Sequence, residues 1–130
     1  MDATALIRRF PARPEHVGPA GREVTAYARH HGVRDPDGVA LAVSEAVTNA
    51  VLHAYAGAPA PGDVELVARR LAGDGLEVLV CDEGLGMVPR SDSPGLGVGL
   101  AVLASVADRV MVEGRRGGGT RVRMTFAVAG

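Results

Sequence analysis

The segment at residues 41–55, LAVSEAVTNAVLHAY, constrains the fold more than any other stretch of the chain. At 3.6 residues per turn, Val43, Ala46, Val47, Ala50, Val51 and Ala54 share an apolar arc, and Ser44, Glu45, Thr48, Asn49 and His53 take the other side. Such a helix must lay its apolar arc on a partner layer. Glu45, Asn49 and His53 recur at four-residue steps, so the spacing predicts that they stack along one line. This polar line carries a single formal charge, whereas a solvated helix face normally carries several. It reads either as one wall of a site or as a charge-poor surface.

The partner layer is legible in the rest of the chain. Residues 4–10 form a short first strand with poor alternation. Pro11 and Pro14 then break the chain, and a helix follows over 14–32, with Val17, Val24, Tyr27 and Ala28 on its apolar side and Gly32 as its stop. Asp35-Pro36 starts the organising helix, Asp as cap and Pro in the first turn. The Pro- and Gly-rich residues 57–63 are a loop. Strands are expected over 64–71 and 76–81, joined by the turn Ala72-Gly73-Asp74-Gly75, where Asp-Gly is a hairpin signal. After a second loop, 82–97, come a helix over 99–107 and strands over 109–113 and 120–128. In the last strand Val122, Met124, Phe126 and Val128 alternate with Arg121, Arg123 and Thr125, the pattern of a sheet with one buried face. Three helices over one face of a mixed, mostly antiparallel sheet would bury both apolar sets. The expected fold class is an α/β two-layer sandwich, with 1–130 a single domain.

Composition narrows the chemistry. Hydrophobic residues are 47% and aromatics 3%, so the core must be built from Ala, Val and Leu. All 14 basic residues are arginine. The absence of lysine excludes a P-loop of the form GxxxxGK[ST] and a eukaryotic-type protein kinase with its strand lysine. A net charge of −1 gives no general attraction to nucleic acid or an anionic membrane. The single Cys81 cannot form an intramolecular disulfide, and no signal sequence or run of 18 apolar residues is present. A cytoplasmic protein is expected.

Three further motifs invite a chemical reading. Asp82-Glu83-Gly84-Leu85-Gly86 follows a buried strand. An aspartate there can accept from an exocyclic amino group while the glycines let the backbone approach a flat ring, although D-x-G also marks plain turns. Gly95-Leu96-Gly97-Val98-Gly99-Leu100 opens a helix, where backbone N–H groups can hold phosphate without a cationic side chain; a lid or plain loop is the ordinary alternative. Gly117-Gly118-Gly119-Thr120 is a tight turn whose threonine can offer a hydroxyl to a ligand beneath it.

The order of these motifs, from SEAVTNAVLHAY to the terminal GGTRVRMTF, resembles the Bergerat-fold ATP-binding domain of the GHKL superfamily, and within it the bacterial anti-sigma-factor serine kinases. The resemblance spans essentially the whole chain. It implies that Asn49 holds Mg²⁺ bridging the ATP phosphates and that Glu45 is the general base orienting the acceptor hydroxyl. It implies further that Asp82 reads the adenine amino group with Thr120 nearby, and that Gly84 and Gly86 pass under base and sugar. Gly95, Gly97 and Gly99, with Leu100, would form the hinge and phosphate cradle for ATP or ADP. His53 is assigned a structural place, and Arg22 a contact with a protein partner. The implied activity is ATP-dependent phosphorylation of a serine on a STAS-type antagonist, coupled to capture of a sigma factor, by a homodimer that touches neither nucleic acid nor membrane. Only eight residues, MVPRSDSP, separate Gly86 from Gly95, a short lid with Arg90 as its one cation. That departure leaves a second reading open, a nucleotide-binding regulatory module with weak or no kinase activity.

Overall fold

The organising helix begins where its residue types place it. The Asp35 carboxylate accepts from the Gly38 N–H at 3.0 Å, and Pro36 occupies the first turn of α2 (Pro36–Asn49), where no N–H is needed. Our computed structural model describes residues 4–73, 75–84 and 96–129, the side chains of 96–98 apart. Within them the order is β1 (Leu6–Pro11), α1 (Val17–His30), α2, β2 (Asp63–Arg70), β3 (Gly75–Asp82), α3 (Leu96–Val106), β4 (Arg109–Gly114) and β5 (Thr120–Ala127). The expected helix over 14–32 is divided: Pro14–His16 is a single 3-10 turn, and the α-helix starts after it.

The sheet order is β1-β2-β3-β5-β4, and every pairing is antiparallel. No parallel pair exists among the described residues, so the sheet is simpler than the mixed one expected. β1 is an edge strand, with most of its residues exposed, which explains its weak alternation. Its terminal Pro11 is tolerated because an edge residue need not donate to a ladder. α3 carries the chain from β3 to the far edge, and β5 then returns between β3 and β4.

One face of this sheet is covered. Val64, Leu66 and Ala68 of β2, Leu76, Val78 and Val80 of β3, and Val122, Met124 and Phe126 of β5 form one cluster with Val24 and Ala28 of α1, Val39, Val43, Ala46 and Val47 of α2, and Leu103 of α3. The core is built from Val, Ala and Leu with Met124 and Phe126, as the aromatic-poor composition requires. The other face carries charges in register: Glu77 of β3 sits between Arg69 and Thr125, and Glu113 opposite Arg121. No described helix is long and apolar enough to cross a membrane.

Candidate functional site

The predicted polar line along residues 45–53 crosses a change of helix type. Glu45 and Asn49 lie one turn apart on α2, but residues Ala50–Ala54 form a π turn. Its winding is wider than that of the α-helix before it, and His53 lies within it. Periodicity cannot show this, because the same sequence satisfies either winding. π turns inside helices are frequent at functional sites.

Asn49 is placed on the polar arc by the helical wheel, yet it is 3% exposed, and its side-chain Nδ2 is buried with no partner among the described residues. What covers it is α3. A Cβ built on Gly99 would lie 2.8 Å from Asn49 Nδ2, 2.9 Å from Glu45 Oε2 and 3.0 Å from Asn49 Oδ1. Only glycine lets the two helices meet this closely. Gly97 and Gly99 fall in the first turn of α3, whose N–H groups have no acceptor within the helix. The Asn49 amide, the Glu45 carboxylate and the first turn of α3 therefore converge, an arrangement suited to a phosphate chain.

The second wall comes from β3 and β5. Asp82 and Thr120 are register partners at the end of their ladder, each 1% exposed, on the covered face. Asp82 Oδ1 accepts from the Gly84 N–H at 2.9 Å, while Oδ2 is buried with no partner among the described residues. Burial pushes the Asp82 carboxyl above the usual carboxylate range, and the backbone N–H groups of Gly84 and Thr120 and the Arg115 guanidinium oppose it. A buried carboxylate oxygen with one lone-pair set open is a ready acceptor for an amino group.

Close backbone approaches fix these walls. Gly119 has φ +98° and lies against the Asp82 carbonyl, so any side chain there would meet both strain and a clash. Gly84 lies against the Ala54 carbonyl at the end of the π turn. Tyr55 bolts the same corner: its hydroxyl donates to the Asp63 carbonyl at 2.6 Å and accepts from the Glu83 N–H at 3.0 Å. Arg115 Nη1 donates to the Asp82 carbonyl at 2.9 Å. Sequence reasoning missed both residues. The one signal for Tyr55 was an aromatic closing the helix motif in a chain with two tyrosines.

Of the expected site residues, Glu45, Asn49 and Gly99 thus come together, as do Asp82, Gly84 and Thr120. Leu100 is half-buried and packs on the core. Gly86, Gly95, Arg90 and the rest of the expected lid lie outside the described residues. Three of the four buried polar residues among those described are Asn49, Asp82 and Thr120. For a metal, no group of three His, Cys, Asp or Glu side chains is gathered among the described residues. A hard cation at the Asn49 amide would draw its other ligands from phosphate oxygens and water, which is how Mg²⁺ is usually held.

A profile of the histidine kinase-like ATPase domain matches residues 10–126. The chain belongs to this family. ATP binding comes with that membership, and the unpartnered Asp82 and Asn49 atoms fit it. Among relatives of this histidine kinase-like ATPase, an anti-sigma F factor of Clostridium acetobutylicum is 31% identical over 129 residues, covering 89% of this chain and 88% of that protein. The serine-protein kinase RsbW of Bacillus licheniformis is 33% identical over 128 residues, covering 85% and 79%. Among solved structures, the mycobacterial sensor histidine kinase MprB superposes with a TM-score of 0.61 at 18% identity, over 93% of this chain and 98% of that one, a likeness of fold.

Proposed function

We propose that this protein is an ATP-dependent serine kinase that acts as an anti-sigma factor. The observation that carries the reading is the meeting of Glu45, Asn49 and Gly99 at the start of α3, in a chain similar to serine-protein kinases and anti-sigma factors. In this reading Asp82 and Thr120 hold the adenine, the first turn of α3 holds the phosphates, and Asn49 binds Mg²⁺. Mg²⁺ held there would supply charge neutralisation at the phosphates, and Glu45 would accept the proton of the attacking serine hydroxyl. Phosphoryl transfer needs positioning and charge compensation more than covalent help, so this small set suffices. The acceptor is a serine on a STAS-type antagonist and the captured partner is a sigma factor. The protein works in the cytoplasm as a homodimer.

Glu45→Gln keeps the shape and hydrogen-bonding reach of the side chain but removes the base. It should leave Mg²⁺-ATP affinity, measured by calorimetry, within about twofold and lower phosphate transfer to the antagonist about 100-fold or more. Wild-type protein that binds Mg²⁺-ATP yet phosphorylates no STAS-type antagonist overturns the kinase reading and leaves a nucleotide-binding regulator.

A further inference from the structure

On the open face of the sheet, at the β4–β5 hairpin, a cavity of about 310 Å³ is lined by Glu113, Gly114, Arg115, Arg116 and Arg121. Three guanidinium groups around one small cavity repel one another unless an anion joins them. The acidic wall does not supply it. Glu113 is engaged by Arg123 at 3.5 Å, and Arg123 in turn holds Glu77 at 2.8 Å. Among the described residues Arg116 and Arg121 make no ion pair, and the buried Arg121 Nε has no hydrogen-bond partner. The hairpin is held in shape by its own bonds, from the Arg115 N–H to the Gly119 carbonyl at 3.1 Å and from the Gly118 N–H to the Arg115 carbonyl at 3.0 Å. An unpaired buried guanidinium donor within a preformed cationic cavity is the makeup of an oxyanion site, because guanidinium matches phosphate in geometry and charge.

We infer that Arg115, Arg116 and Arg121 form a phosphate-class oxyanion site separate from the nucleotide site, and that Arg115 couples the two. Arg115 faces both: it lines this cavity and holds the Asp82 carbonyl at 2.9 Å. An oxyanion that draws Arg115 toward Arg116 and Arg121 loosens the strand end that presents Asp82. The ligand is either free phosphate or a phosphoserine displayed by a protein, which share this chemistry.

The test uses the full chain without nucleotide, so its outcome is independent of the kinase reading. Backbone amide shifts of residues 114–119 are followed by NMR while inorganic phosphate is added to millimolar concentration, against sodium chloride at matched ionic strength. Phosphate should move these amides where chloride does not. Arg121→Gln and Arg116→Gln should each weaken the response about tenfold, and Arg109→Gln, on the same hairpin but outside the cavity, should leave it unchanged. A phosphoserine peptide binding about tenfold tighter than free phosphate identifies a protein-borne phosphate, and equal affinity identifies the free ion. Hairpin shifts that chloride reproduces, or that persist in full in both Arg121→Gln and Arg116→Gln, overturn the site. A fluorescent ATP analogue then reads the coupling: phosphate should weaken its binding to the wild type more than to Arg121→Gln. Equal weakening would mean direct competition at α3 and overturn the coupling.

Discussion

Asp82 and Glu77 are both carboxylates of β3, 1% and 4% exposed, and they face opposite sides of the sheet. Glu77 points to the open face and is fully met. Arg69 reaches Oε1 through Nε at 2.7 Å and Nη2 at 2.6 Å, and Arg123 Nη1 reaches Oε2 at 2.8 Å. Asp82 points to the helix-covered face, where backbone N–H groups meet it but Oδ2 has no partner among the described residues. Burial alone therefore does not distinguish a structural charge from a site. A buried carboxylate with both oxygens bonded holds strands together, and one left half-open at some expense in stability marks where a ligand completes the hydrogen bonding.

Asp82→Asn tests this most severely. It removes the charge that would accept from the adenine amino group, and nucleotide affinity should fall about 100-fold, the equivalent of a charged hydrogen bond of about 2–3 kcal/mol. Thermal stability should hold or rise, because the amide is less costly to bury than the carboxylate. A marked drop in Tm would put Asp82 in the same class as Glu77 and break the contrast.

Glu77→Ala is the mirror experiment. It strands Arg69, leaves Arg123 only its longer contact with Glu113, and should lower unfolding free energy in urea by about 2 kcal/mol, with nucleotide affinity unchanged. Weakened nucleotide binding would show that the two faces are not independent.

The smallest effect is a dependence on pH. Folding raises the Asp82 pKa, so the native state holds this proton more tightly than the unfolded chain does. The stability from this group is fully present below its ordinary value of 3.8 and is lost as pH rises through the raised value. The Tm advantage of Asp82→Asn over the wild type should therefore widen as pH rises from below 3.8 toward neutrality. A constant difference across that range would show that burial does not burden Asp82.

Much of the site was legible because its chemistry is local. The one-turn spacing of Glu45 and Asn49, the glycines opening α3 and the DxG after a buried strand are sequence patterns, and each sits where its pattern implied. His53, assigned a structural place, lies in the π turn at Ala50–Ala54, a change of winding that a sequence period does not show. Nothing in the sequence marked Arg115, because a turn arginine carries no sign of what it reaches. Its partner is a main-chain carbonyl far along the chain.

The amino-acid sequence by itself determined the apolar arc of α2, the alternation of β5, both hairpins and the cap at Asp35. All are consequences of residue type and short-range period. The lateral order of the strands was decided only by tertiary structure. Two antiparallel hairpins alternate in the same way whichever edges they join, so nothing local says that β5 inserts between β3 and β4. That insertion sets Thr120 beside Asp82, and the packing of α3 on α2 buries the Asn49 amide that a helical wheel leaves facing outward. Both depend on which surfaces meet, a property of long-range burial rather than of any short run of residues.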